Sequence, residues 1–342
     1  MNDDRLAWGI LGTGNIARQF ATGVNASRRG RLVAVGSRTP EKAQTFGQAH
    51  HIPSAYGSYQ QLLDDLAVQA VYNSLPNNLH HEWTIKALKA GKHVLCEKPF
   101  ATSLAQAIEM FDVADQQGKV LIEAFMYRAH PLTHAIQQAV NSGAIGEVRL
   151  IRTSFCFKVS QWQGNIRFNP GLSGGVIMDV GCYCVSFSRL FAGAEPSRIH
   201  VVHHRHESGV DDIAAGTLVF PSGAIATFSC GMSVHADNTA TICGSEGYIE
   251  IPVPWKPPAS GATYTIARST PPKMENPMVK SPPPRETRTI TVDGDLYGLE
   301  ADAFAASVFD NARPFVSRED TLGNQRVMDE LRRQMALQST QP

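Results

Sequence analysis

Ala7-Trp8-Gly9-Ile10-Leu11-Gly12-Thr13-Gly14-Asn15-Ile16-Ala17 is an apolar run, a pair of glycines and the start of a helical pattern. The run reads as a buried strand, and Asn15 to Ala26 as the helix after it. Between them Gly12 to Ala17 spells G-x-G-x-x-A. In that pattern the first glycine makes a tight turn and the second lets the backbone approach a pyrophosphate. The small Ala17 lets helix and strand pack closely. Amides at the helix start complete an anion site. Alone, the pattern is weak, since glycine pairs arise in turns by chance. In the first strand–helix unit of an alternating chain it is specific.

The alternation continues outward. Arg31 to Gly36 is a second strand, a helix opens at Pro40, and Ser58-Tyr59-Gln60-Gln61 reads as a capping box for a short helix. Ala70 to Leu75 is a strand, Asn78 to Ala90 a helix stopped by Gly91, and His93 to Glu97 another strand. A helix from Ser103 to Gln117 and a strand from Val120 to Phe125 complete the series. Such alternation predicts β-α-β units and a parallel, Rossmann-type sheet. After Pro131 the character changes. A helix over Leu132 to Ser142 is followed by a β-rich stretch, Glu147 to Phe157, and a glycine-flanked helix over Val176 to Phe191. Ile199 to Ile251 alternates strands with turns at Pro221-Ser222-Gly223 and Gly244-Ser245-Glu246-Gly247. The Pro-rich residues 252–288 read as an extended loop, and helices over Leu299 to Phe309 and Arg318 to Gln338 close the chain. The expected fold is α/β: a dinucleotide-binding Rossmann domain over 1–126, then an α+β domain over 127–342 with a large open, mostly antiparallel sheet.

The 342 residues suit two domains, and 43% hydrophobic with 18% charged residues describes a globular chain. Lys+Arg and Asp+Glu balance at 31 each, so charge points to neither nucleic acid nor a membrane surface. The first residues carry no apolar h-region or twin arginine, which makes cytoplasmic residence the expectation. The six cysteines form no Cys-x-x-Cys pair and read as reduced, buried thiols. His200, His203, His204 and His206 lie on a strand-like stretch with no carboxylate or cysteine to complete a set, so no metal site is expected.

The second strand ends Gly36-Ser37-Arg38-Thr39, with Lys42 a turn into the next helix. An acid at that strand end would accept from an adenosine 2′-hydroxyl and favour NAD. A hydroxyl and a guanidinium stand there instead, ready for a 2′-phosphate, which favours NADP over NAD. Glu97-Lys98-Pro99 follows the fourth long strand, where a parallel sheet gathers its ligands. Asp179 and Tyr183, at i and i+4, share a helical face. An aspartate near a helix start is ordinarily a cap, and a buried tyrosine ordinarily a core residue. With Lys98 they make a set able to move a proton. A phenol is a poor base at neutral pH, and an ammonium beside it stabilises the phenolate. Gln163, Asn165 and Arg167 are candidate hydroxyl ligands.

The chain resembles the glucose-fructose oxidoreductase / inositol dehydrogenase (Gfo/Idh/MocA) family over almost its whole length. The resemblance rests on Gly12 to Ala17, Pro76-Asn77-Asn78-Leu79-His80, Glu97-Lys98-Pro99, Glu123 to Arg128, and Gly174 to Tyr183. It implies that Lys98 is the catalytic lysine near the nicotinamide ribose and that its bond to Pro99 is cis. It places Leu75, Pro76, Asn77 and His80 at the nicotinamide side, and Gly12, Thr13, Gly14, Asn15 and Ile16 around the phosphates. Arg128 would bind substrate or brace the domains. Many members carry histidine where this chain has Tyr183. Tyrosine looks like the branch with NADP-dependent D-xylose dehydrogenase and dimeric dihydrodiol dehydrogenase.

The resulting expectation is an NADP-dependent oxidoreductase moving hydride between nicotinamide and a sugar or sugar-like polyol or carbonyl, with aldose 1-dehydrogenation favoured. Lys98, Tyr183 and Asp179 would be catalytic; Arg128, Arg167, Asp179 and Tyr183 would bind substrate. Reduction of a 1,5-anhydro-keto sugar or oxidation of a trans-dihydrodiol are alternatives, as is a non-catalytic NADP-sensing regulator. A homodimer or homotetramer through the open sheet is expected, because exposed apolar faces are rare in monomers.

Overall fold

The computed structural model describes residues 5–268 and 284–338. In the first part β1 (Leu6–Leu11), α1 (Asn15–Ala26), β2 (Gly30–Gly36), α2 (Pro40–His50), β3 (Ser54–Tyr56), α3 (Tyr59–Asp64) and β4 (Ala70–Asn73) follow one another. Then come α4 (His80–Lys89), β5 (His93–Glu97), α5 (Leu104–Gln117) and β6 (Leu121–Ala124). All six strands are parallel, in the order β3-β2-β1-β4-β5-β6. Every residue of β1, β4 and β6 is buried, as strands with helices on both faces must be. The short β3 has no alternating or apolar run of its own and escapes the sequence reading. Ser58 does cap α3, its hydroxyl accepting from the Gln61 amide at 3.2 Å.

The chain then runs through α6 (Met126–Ala129), α7 (Pro131–Asn141), β7 (Val148–Cys156) and α8 (Cys182–Ala192). After these come β8 (Arg198–Arg205), β9 (Asp211–Val219), β10 (Ile225–Gly231), β11 (Ala240–Gly244), β12 (Gly247–Ile251), β13 (Ala262–Arg268) and β14 (Arg285–Ile290). Two helices end the chain, α9 (Leu296–Phe309) and α10 (Arg318–Gln338). The eight strands order as β14-β13-β12-β11-β7-β10-β9-β8; β7 pairs in parallel with β10 and every other neighbour is antiparallel. The predicted open, mostly antiparallel sheet is therefore present. Two expectations need correction. The Pro-rich stretch contributes β13 and β14 at the sheet edge, because Ala262 to Arg268 alternates buried and partly exposed residues as a half-buried strand does. Residues 269–283 lie outside the described residues. The helix read as continuous over 176–191 begins as a π-helical turn, Ile177–Gly181, before α8.

One apolar core joins the two sheets. Phe20 stacks on Tyr72 at 3.7 Å between ring centres, and Trp8 contacts Phe304 of α9. Packing of α9 on α1 is close enough that a Cβ at Gly23 would lie 2.5 Å from Tyr297 Cβ. Five of the six cysteines are buried and Cys243 is partly exposed; all are free thiols.

Candidate active site

Strand order reverses between β1 and β4, where open parallel sheets take their ligands. A cavity of about 520 Å³ opens there, walled by the loop after β1, the ends of β4 and β5, and the underside of the second sheet. Gly12 turns the chain with φ at +97°, a conformation costly to a residue bearing a Cβ. A Cβ built on Gly14 would meet nothing within 4 Å, so the bare backbone fronts open space. A diphosphate fits that surface: close backbone approach, followed at once by the first turn of α1.

The structure brings twelve of the predicted residues to this cavity. Gly14, Asn15 and Ile16 form one wall; Leu75, Pro76, Asn77 and His80 form the second. Glu97, Lys98, Arg167, Asp179 and Tyr183 form the third. The Lys98–Pro99 bond is cis. Lys98 donates its ammonium to the Asp179 carbonyl at 2.9 Å and Oδ1 at 3.4 Å, while Arg167 Nε donates to Asp179 Oδ2 at 2.6 Å. Burial opposes charge at both Lys98 and Asp179. For Asp179 the Lys98 and Arg167 cations outweigh it and hold the carboxyl below the usual range. For Lys98 the Asp179 carboxylate, with Cys182 and Glu97, holds the ammonium above the usual range. The π-helical turn is tied down from outside, since Asp211 Oδ2 accepts from the Ile177 amide at 2.8 Å.

Tyr183 departs from expectation. Its hydroxyl points at Met126 Sδ, 3.3 Å away, and the Lys98 ammonium stands over the ring, 5.2 Å from its centre. Burial pushes the phenol well above its ordinary value, and the nearby Glu97 adds to this. The lowering expected from Lys98 is therefore not found, and burial keeps the phenol protonated. His80 is buried with Nδ1 2.9 Å from the Pro99 carbonyl and Nε2 2.8 Å from the Leu75 carbonyl. Burial lowers it to about 4, opposed by the two carbonyls, which favour the protonated ring. It pins the end of β4 and the Pro99 turn on either side of the cavity. Glu97 is buried too, accepting from the Tyr72 hydroxyl and the Lys98 amide, and burial raises its carboxyl.

Other predicted residues lie elsewhere. Arg128 is apart from this cavity: it is 8% exposed, donates to Asp320 Oδ2, and lines a separate cleft of about 750 Å³ with Arg189. Of the two roles expected for it, bracing is the one that this tie to the start of α10 suits. Gln163 and Asn165 are likewise absent from the cavity wall; Asn165 spends its side chain accepting from the Arg167 amide. Thr13 and Lys42 face a second cleft of about 540 Å³ between α1 and α2, joined there by Arg18 and Glu41. Ser37 is buried beside that end, its amide bonded to the Tyr56 carbonyl, and Arg38 is exposed. Among the lining residues that the sequence reading does not single out are Gln19, Phe155, Phe157, Asn238, Trp255 and Lys256. Trp255 stacks on Phe155 at 5.5 Å, and its indole donates to the Ser154 carbonyl at 2.8 Å. Trp255-Lys256-Pro257-Pro258 lay in the stretch read as loop, and no local pattern marks a loop residue as facing a distant strand.

A glycine loop at the switch point of a six-stranded parallel sheet, sharing one cavity with Lys98 after β5, Asp179 of the π-helical turn and Tyr183 of α8, defines a dinucleotide-binding oxidoreductase. Comparison with known proteins agrees at both ends. Residues 6–125 match the model of the oxidoreductase family with the NAD-binding Rossmann fold, and residues 133–250 match the GFO/IDH/MocA C-terminal domain. The chain belongs to the GFO/IDH/MocA oxidoreductase family. It is 35% identical to D-xylose 1-dehydrogenase (NADP(+)) 2 of Haloferax volcanii, over 95% of each chain. It is 36% identical to mouse trans-1,2-dihydrobenzene-1,2-diol dehydrogenase, over 74% of this chain and 76% of that one. A 3-ketoreductase of Actinomadura kijaniata, solved with NADP and TDP-benzene, superposes with a TM-score of 0.84 at 29% identity, covering 97% of this chain and 98% of that one.

Proposed function

We propose that the protein is an NADP-dependent dehydrogenase or reductase acting on a CH–OH or carbonyl carbon of a sugar or sugar-like polyol. The observation that carries this reading is the shared cavity: phosphate loop, Lys98, Asp179 and Tyr183 all face one space of about 520 Å³. Gly12, Thr13, Gly14, Asn15 and Ile16 would hold the diphosphate, with Ser37, Arg38 and Lys42 at the 2′-phosphate. Leu75, Pro76, Asn77, His80 and Glu97 would border the nicotinamide. The relatives named for NADP support this choice over NAD. The bound nicotinamide supplies hydride exchange. Tyr183, held protonated by burial, gives its proton to a carbonyl oxygen during reduction. In oxidation the phenolate needs a cation, and the Lys98 ammonium, 5.2 Å from the ring centre, is the candidate. Asp179 fixes both Lys98 and Arg167, leaving the rest of the Arg167 guanidinium for substrate hydroxyls. The Phe155–Trp255 pair offers an apolar wall suited to the carbon face of a sugar ring.

Aldose oxidation at C1 is the favoured version, supported by the D-xylose dehydrogenase relative. Dihydrodiol oxidation is the second reading, supported by the mouse relative. Steady-state turnover of NADP with aldoses and a trans-dihydrodiol separates the two. Absence of turnover with every substrate, despite tight NADP binding, would sink the enzyme reading in favour of a sensor.

We also propose a homodimer or homotetramer through the open sheet face. Val202, Ile213 and Ile225 share that face by register, and Val202 is 66% exposed. Light scattering should report an oligomer that Val202→Glu disperses; a wild-type monomer defeats the idea.

A further inference from the structure

Lys256 follows Trp255 in the segment between β12 and β13 and reaches across the cavity to α1. Its ammonium donates to Gln19 Oε1 at 3.1 Å, and the same oxygen accepts from the Tyr297 hydroxyl at 3.2 Å. Gln19 lies four residues after Asn15, hence one turn along α1 on the same face as the start of the phosphate loop helix. With its oxygen doubly used, the Gln19 amide nitrogen is left to donate into the cavity it lines.

The charges do not balance on this wall. Among the described residues the Lys256 ammonium has no carboxylate within ion-pair distance. Asp179 is already shared by Lys98 and Arg167, and Glu97 is engaged by Tyr72. Lys256 is exposed at the rim of the cavity, open to an anion; desolvation and the like charge of Lys98 lower its ammonium below the usual lysine range against the pull of Glu97 and Asp179. Gly14, bare towards open space, lines the same cavity.

We propose that Lys256 is a ligand for the diphosphate of the bound dinucleotide, delivered from the second sheet and held in place by Gln19 and Tyr297. The assignment rests on the NADP reading above. It makes the cofactor a bridge: the phosphate loop grips one side of the diphosphate, and a cation from the far half of the chain closes the other. A phosphorylated or carboxylated substrate would offer the same anion chemistry, so the experiment must separate the two sources.

Fluorescence titration without substrate does so. Lys256→Met should weaken NADPH by about tenfold, the size of one charge-assisted contact, with a smaller loss at high salt. The probe 2′-phospho-ADP-ribose, which carries the diphosphate without nicotinamide, should weaken equally, and Lys256→Arg should recover most of both. Unchanged dissociation constants in Lys256→Met overturn the proposal. So does a loss confined to the KM of an anionic substrate. A wild-type protein that fails to bind NADPH at all overturns the cofactor reading itself, a result distinct from the other two.

Discussion

Tyr183 carries its hydroxyl against the Met126 sulfur, and its nearest cation lies over the ring instead of at the oxygen. The function proposed above makes this protonated phenol the proton donor. Removing that proton without disturbing the ring tests it: Tyr183→Phe should lower turnover by roughly 100- to 10,000-fold with NADPH affinity nearly unchanged. Wild-type turnover would remove Tyr183 from the mechanism. Arg38, exposed beyond the end of β2, is argued to meet the 2′-phosphate. Arg38→Ala should therefore weaken NADP far more than NAD in direct binding measurements; equal losses would count against that role.

At the scale of elements, the π-helical turn before α8 carries Asp179 to Lys98, and Gly175 and Asp211 stand at its start. Gly175 has φ at +113°, and a Cβ there would fall 2.1 Å from Asp211 Oδ1, the carboxylate that accepts from Ile177. A side chain at this position meets both backbone strain and the displaced carboxylate. Gly175→Ala should cost about 1–3 kcal/mol in urea unfolding, with a disproportionate fall in activity as the Asp179 turn shifts. Loss of stability with full specific activity in the folded fraction would show that the turn tolerates the change. The spacing of Asp179 and Tyr183 had suggested an ordinary helical face. Local sequence does not announce the widened turn, and the carboxylate that holds its start, Asp211, lies 32 residues downstream of Asp179.

For the whole molecule, buried acids set a pH dependence. Glu123, one residue before the end of β6, has Oε1 accepting from the Phe100 amide at 3.2 Å and Oε2 without a hydrogen-bond partner among the described residues. Burial pushes its carboxyl up to about 8. The folded state thus holds this proton more tightly than the unfolded chain does. Its stabilising contribution is complete below the ordinary glutamate range and is lost as pH rises through about 8. Glu123→Gln should flatten the fall in stability between about pH 5 and 8, where each unit of separation is worth about 1.4 kcal/mol. Parallel stability curves for mutant and wild type would show that Glu123 does not drive the slope. Glu300, fully buried with both oxygens unpartnered among the described residues, is raised by burial in the same sense.

The parallel sheet, the glycine loop and the rank of Lys98 at a strand end were all legible in the sequence, because each follows from contacts within a few dozen residues. Periodicity fixes strand and helix, and turn chemistry fixes Gly12. The motif residues therefore found their places. What the tertiary structure alone decided is whatever needs two distant segments to meet. Arg128 looks like a substrate ligand until α10 supplies Asp320. Trp255 and Lys256 look like loop until β7 and α1 appear beside them. The charge state of Tyr183 depends on its burial, with the Glu97 carboxylate nearby acting in the same sense. A sequence states which groups are present; burial and competition among them, which fix their protonation and their partners, exist only once the chain has closed on itself.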